Sequence, residues 1–182
     1  KRCSRFRLMH ASAFIAMGTN MPFGGVAGAD LLAQAIRAMR DDGFEVAAAS
    51  GVWLTPAWPP GVDQPDYHNA VIEVANVAVP PSDLFERLAA IERQFGRERR
   101  ERWAARTLDL DIVAMGDLAG VFGDVTVPHP RMHERAFVLA PLAELAPDWR
   151  HPILDRSAVE LLNALEAVSS YRRLSGLAVA VV

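Results

Sequence analysis

A chain of 182 residues, 51% hydrophobic and 23% charged, has a globular composition and the length to bury roughly 70% of the surface its unfolded form exposes. Its net charge of -3 excludes a general affinity for nucleic acid or anionic membrane, so any basic function must come from local clustering. The single cysteine, Cys3, excludes an intrachain disulfide and a cysteine-built metal centre, and the cytoplasm is the expected location.

In chain order, Lys1, Arg2, Arg5 and Arg7 precede an apolar run at 13–17 as a charged region precedes a signal-peptide core. The run is too short, and no small-residue cleavage pattern follows it. No stretch reaches the roughly 20 apolar residues a spanning helix needs. Residues 1–11 therefore read as an extension of unknown role and 12–182 as a single domain. The run 13–17 predicts a buried strand, closed by the turn-forming Gly18-Thr19-Asn20 and a glycine-rich loop at 22–28. From Asp30, apolar Leu31, Leu32, Ala35, Ile36 and Met39 recur at helical spacing up to Gly43.

Residues 45–54 predict one extended strand, and the four prolines within 55–66 demand a loop. A further strand is expected over 68–77. Pro80-Pro81-Ser82-Asp83 then reads as a helix start with Ser82 as N-cap, and Leu84, Leu88, Ile91 and Phe95 fall on one face before Gly96. A strand over 107–115 completes the order strand, helix, strand, strand, helix, strand. That order predicts an α+β fold with a ferredoxin-like βαββαβ core and a C-terminal extension. Within the extension, helices are expected near 135–144 and 157–168.

Chemistry concentrates around Leu108-Asp109-Leu110-Asp111-Ile112. Side chains alternate across a strand, so Asp109 and Asp111 share one face and the apolar residues share the other. Adjacent carboxylates repel unless a cation neutralises them, and hard oxygen ligands suit Mg²⁺ bridged to phosphates. Upstream lie Arg93, Arg97, Arg99, Arg100, Arg102 and Arg106, interspersed with Glu92, Glu98 and Glu101. Guanidinium groups bind phosphate oxygens in pairs, and several would offset the charge a metal leaves over. Downstream, His129, Arg131 and Arg135 stand close to Phe137. Tyr67 and Asn69, two residues apart, offer an aromatic face and an amide to a flat heterocycle. These residues alone leave open a solvated, salt-bridged helix end, or a non-catalytic RNA-binding module with Trp103 as a stacking platform. No Walker-type glycine-lysine motif, Gly-x-Ser-x-Gly or His-Glu-x-x-His is present.

Together, Gly18-Thr19-Asn20, Gln64-Pro65-Asp66-Tyr67-His68-Asn69, Arg106-Thr107-Leu108-Asp109-Leu110-Asp111 and Val127-Pro128-His129 make the chain similar to the 6-hydroxymethyl-7,8-dihydropterin pyrophosphokinase family of folate biosynthesis, over about 14–147. The resemblance implies transfer of the terminal pyrophosphoryl unit of ATP to the pterin hydroxymethyl group, with release of AMP. It implies two Mg²⁺ ions on Asp109 and Asp111, and Arg97, Arg99, Arg106, Arg135 and His129 at the phosphates. Glu92, Trp103, Ile112 and Thr126 would line the ATP site. The pterin would stack between Tyr67 and Phe137, with Asn69 at its edge and Thr55 beside it. Loops at 22–28, 55–66 and 97–105 resemble the family's three mobile loops, so Trp58 and Trp103 would move on closure. Departures are Thr19 in place of the usual Ser, a loop shorter by one residue at 97–103, Ala89 in place of Gln and Pro130 in place of an aromatic. The expected partners are ATP and the pterin, with no nucleic acid and no membrane, and the expected state is a monomer. The tail after about residue 148 is expected to hold none of the chemistry.

Overall fold

The structure, a computed structural model, describes residues 11–57, 63–97, 105–165 and 171–176. It is a mixed α and β fold around an antiparallel sheet. Strand β1 (Ala11–Thr19) leads to helix α1 (Gly28–Asp41), then to β2 (Glu45–Ala49), β3 (Gly51–Thr55) and β4 (Tyr67–Val77). Helix α2 (Pro81–Gln94) and β5 (Asp109–Met115) follow, then a small hairpin of β6 (Gly120–Phe122) and β7 (Val125–Val127). A 3₁₀ turn (Met132–Glu134), α3 (Ala136–Leu145), α4 (Ala158–Asn163) and β8 (Arg172–Gly176) complete the described chain. The strand order is β5-β1-β4-β3-β8, with β2 also paired to β4.

Alternation along the strands sorts the side chains into two cores. Ala13, Ile15 and Met17 of β1 meet Ile72 and Val74 of β4 and the buried stripe of α1, Leu31, Leu32, Ala35, Ile36 and Met39. Leu84, Leu88 and Ile91 of α2 join that core. Phe14 and Val71 point the other way, to Val138, Leu139 and Leu142 of α3 and Leu161 of α4. The sheet is therefore covered on both faces, and β5 contributes Leu110 and Ile112 to the first core from its apolar side, next to Leu108 just before it. A register shift between Phe14 and Ile15 interrupts the β1–β5 pairing, and beyond it Val113 and Ala114 fall in the second core.

Several sequence expectations are corrected. Gly18 and Thr19 do not turn; they continue β1 and pair with Asn69 and His68 of β4. The expected single strand over 45–54 is two, because Ser50 breaks it: its hydroxyl donates to the Gly51 carbonyl and accepts from the Val71 amide. Ser82 is not the N-cap of α2; Pro80 holds that position, Pro81 sits in the first turn, and the Ser82 hydroxyl donates to Asp83. β5 starts at Asp109, two residues later than expected. Ser157 does cap α4, in a reciprocal capping box with Glu160, but the helix ends at Asn163. β8 was not expected at all, and it runs against β3 with Leu54 opposite Arg172.

Candidate active site

Where α3 begins, the sheet face it would cover is left open as a cleft of about 330 Å³. Three neighbouring strands supply its floor. Gly18 of β1 is the direct partner of Asn69 on β4 and of Asp109 on β5, so these three stand in one row across the sheet. Ala16, two residues back, lies opposite Val71 and Asp111 in the same way. Gly18 keeps this row close: a Cβ there would come within 3.1 Å of Asn69 Oδ1, which would have to give way, and within ordinary contact, 3.9 Å, of the Asp109 Cβ. Tyr67, on the same face as Asn69, completes the floor. Arg135 and Phe137 at the start of α3 form the facing wall, with Arg106, Thr55 and Tyr171 at the rim.

Asp109 and Asp111 do share a face, as the alternation predicts. Asp109 is ringed by cations: Arg106 Nη1 donates to Oδ2 at 2.6 Å, and Arg97 Nη1 lies 2.9 Å from Oδ1. That Arg97 contact lacks hydrogen-bond geometry, and Oδ1 is buried without a hydrogen bond among the described residues. Arg135 Nη1 is 3.9 Å from Asp111 Oδ2. Burial, then the charge of Asp109, raises the Asp111 carboxyl to about 6 against the pull of Arg135, Arg106 and Arg97. Its side chain is nevertheless 42% exposed along the cleft, so water there tempers the burial penalty.

Glu92 lies beneath this pair. Its carboxylate accepts from the Leu110 amide at 2.7 Å and pairs with Arg97. Burial raises it to about 7, opposed by Arg97 and the amide. It thus braces the strand and the arginine instead of lining the cleft. His129 stands behind Arg135, and burial, then the Arg135 charge, lowers it to about 4. Its Nδ1 accepts from the Arg131 amide at 3.1 Å, so the proton of the neutral ring sits on Nε2. That nitrogen is 3.3 Å from Arg135 Nη1, and two donors this close suit one anionic oxygen beside the pair that accepts from both.

At the other end, Asn69 Nδ2 donates to Thr55 Oγ1 at 2.7 Å, which fixes the amide and leaves its oxygen toward Gly18. Burial raises the Tyr67 hydroxyl above its usual range.

The cleft therefore brings together Asp109, Asp111, Arg106, Arg135, Tyr67, Asn69, Thr55 and Phe137. Arg97 and His129 join it through Asp109 and Arg135. Ile112 is not on its wall but 4% exposed in the first core, and Thr126 sits on β7 opposite Val121. Arg99 and Trp103, together with Trp58, lie outside the described residues. Glu134 and Tyr171 line the cleft and were not singled out. Glu134 is within three residues of the Arg131 it pairs with, a spacing legible in sequence, whereas nothing local marks Tyr171.

No cluster of three or more acidic, histidine or cysteine ligands occurs among the described residues. A carboxylate pair with one orphaned buried oxygen fits Mg²⁺, which binds through one or two carboxylates and completes its shell with water and substrate phosphates.

A sheet covered by helices, with paired carboxylates beside arginines at one end of a cleft and aromatic side chains at the other, has the chemistry to hold a phosphate-bearing substrate next to a flat one. Residues 14–147 match the family model described as 7,8-dihydro-6-hydroxymethylpterin-pyrophosphokinase. A 2-amino-4-hydroxy-6-hydroxymethyldihydropteridine pyrophosphokinase of Synechocystis is 39% identical over 135 residues, covering 74% of this chain and 68% of the relative. The Bacillus subtilis protein of the same name is 32% identical over 170 residues, covering 92% of this chain and 95% of its own. Among solved structures, a Plasmodium falciparum HPPK-DHPS with pterin and p-hydroxybenzoate superposes with a TM-score of 0.67 at 11% identity. That match covers 91% of this chain and 47% of the other, so the chain spans about half the length of the two-part protein. The chain belongs to the 7,8-dihydro-6-hydroxymethylpterin-pyrophosphokinase family.

Proposed function

We propose that this protein transfers the pyrophosphoryl group of ATP to the hydroxymethyl group of 6-hydroxymethyl-7,8-dihydropterin and releases AMP, a step of folate biosynthesis. The observation that carries the reading is the row Asn69, Gly18, Asp109, which joins a heterocycle-sized aromatic end to a carboxylate–arginine end in one cleft. The strand order β5-β1-β4-β3 supports a ferredoxin-like core, and the proposal takes 12–182 as a single domain working as a cytoplasmic monomer. No described helix is long and apolar enough to cross a membrane.

In the reaction, the hydroxymethyl oxygen bonds to the β-phosphorus, the α,β-bridging oxygen leaves with AMP, and the hydroxymethyl proton passes to solvent. Mg²⁺, with two ions expected on Asp109 and Asp111, would supply charge neutralisation across the phosphates. Arg97, Arg106 and Arg135 take over the remaining phosphate charge as they turn from the carboxylates to the nucleotide, with Arg99 and Trp103 the further contacts that the family resemblance implies. His129 donates from Nε2 to a phosphate oxygen. Tyr67 and Phe137 hold the pterin ring, Asn69 reads its edge, and Thr55 fixes Asn69. Pyrophosphoryl transfer is dominated by positioning and electrostatics, so no general base is required.

The test is mass spectrometry of the pterin after incubation with ATP and Mg²⁺. A pterin carrying two phosphoryl groups is expected; a singly phosphorylated or unchanged pterin would overturn the reading.

A further inference from the structure

One wall of the cleft comes from a segment outside the family match, which ends at residue 147. Tyr171 lines the cleft together with Thr55 and Pro56. The register explains how it arrives there. β8 pairs with β3 so that Arg172 faces Leu54, which puts Tyr171 level with Thr55 at the aromatic end.

The strand is clamped in that register. Arg173 donates to Glu144 Oε1 of α3 from Nη2 at 2.7 Å and from Nε at 3.1 Å. The same carboxylate accepts from the Gly51 amide at 3.1 Å and from Trp53 Nε1 at 2.9 Å, both on β3. Gly51 makes room for the arginine, since a Cβ there would meet the Arg173 guanidinium at 2.9 Å. One carboxylate thus ties α3, β3 and β8 together, and the ring of Tyr171 is delivered to a fixed place. Burial, with no charged group contributing, raises its hydroxyl above the usual range.

We infer that Tyr171 is an acceptor-contacting residue whose ring closes the outer wall of the heterocycle end, opposite the floor formed by Tyr67 and Asn69. Thr55 Oγ1 is already engaged by Asn69 and Pro56 offers only apolar surface, so the ring completes an apolar wall and its hydroxyl is dispensable. The inference rests on the pterin reading of the cleft.

Steady-state kinetics of the full chain with ATP, Mg²⁺ and 6-hydroxymethyl-7,8-dihydropterin test it. Tyr171→Ala is expected to raise the KM for the pterin roughly three- to tenfold, the worth of one aromatic contact. The KM for ATP stays unchanged, and Tyr171→Phe behaves as the parent protein. If the alanine variant melts early, Tyr171→Leu keeps the apolar bulk without the aromatic face, and a smaller rise in the pterin KM, again with the KM for ATP unchanged, is expected. An unchanged pterin KM, an equal rise in the KM for ATP, or a phenylalanine variant as impaired as the alanine one overturns the assignment. Parent turnover with an unaffected variant removes Tyr171 alone, whereas absence of parent turnover removes the pterin reading as well.

Discussion

Glu92 shows how a single buried group serves the site without touching its cleft. At 6% exposure it would be costly as an unpaired charge, and its two partners, the Leu110 amide and Arg97, link α2 to the strand bearing the aspartates. Its folded pKa of about 7 lies above the ordinary glutamate value of about 4.3. The folded protein therefore holds this proton more tightly than the unfolded chain. The associated stability is full below the unfolded value and is lost as pH rises through about 7. Glu92→Gln keeps an acceptor for Leu110 and abolishes the titration. Thermal melts should show the variant gaining on the parent protein from pH 5 to pH 8, and a difference independent of pH would contradict the assignment. At this scale the sequence was informative where chemistry follows from spacing: the shared face of Asp109 and Asp111, and of Tyr67 and Asn69, is simple strand alternation. The partners of Glu92 were not legible, because Leu110 lies 18 residues away across a helix–sheet contact that spacing does not encode.

Among the elements, helices with a clean apolar stripe were readable in advance, and the buried faces of α1 and α2 are those the periodicity marks. Strand limits were less so. The run 45–54 carries a single turn signal, Ser50-Gly51, and β2 ends there, with the Ser50 hydroxyl accepting from the Val71 amide while the Ser50 amide donates to the Val71 carbonyl. Both Ser50 and Val71 are buried, at 3% and 0% exposure. Ser50→Ala leaves the Val71 amide short of one bond and should cost about 1–3 kcal/mol. Urea denaturation measures it, and a midpoint equal to that of the parent protein would show that the hydroxyl does not hold the break. β8 escaped notice because its five residues, Arg-Arg-Leu-Ser-Gly, read as a polar tail. Only the clamp by Glu144, far away in sequence, makes them a strand.

For the molecule as a whole, the sheet order puts β5, the strand that carries Asp109 and Asp111, at one edge, and separates it by β1 alone from β4, which carries Tyr67 and Asn69. Near the end of β1, Gly18 stands between Asn69 and Asp109, so the aromatic and the carboxylate ends of the cleft lie on one continuous floor. The alternation of strands and helices up to β5 was legible in the sequence, apart from the split of 45–54 into β2 and β3; the cleft was not, since it exists only where α3 leaves the sheet uncovered. The arginine ring about Asp109 follows the same logic. Arg97 from just beyond α2 and Arg106 from the approach to β5 meet Asp109, and Arg135 at the start of α3 meets Asp111, so only the assembled fold sets their charge against the carboxylates. We propose that this carboxylate pair drives pyrophosphoryl transfer.

The direct measurement is chromatography of the nucleotides formed from ATP and Mg²⁺, with and without the pterin, by the parent protein and by Asp111→Asn of unchanged far-UV spectrum. The account predicts pterin-dependent AMP, in step with the pterin consumed, from the parent protein and none from the variant. ADP as the product, or AMP formed equally by the variant, would contradict it.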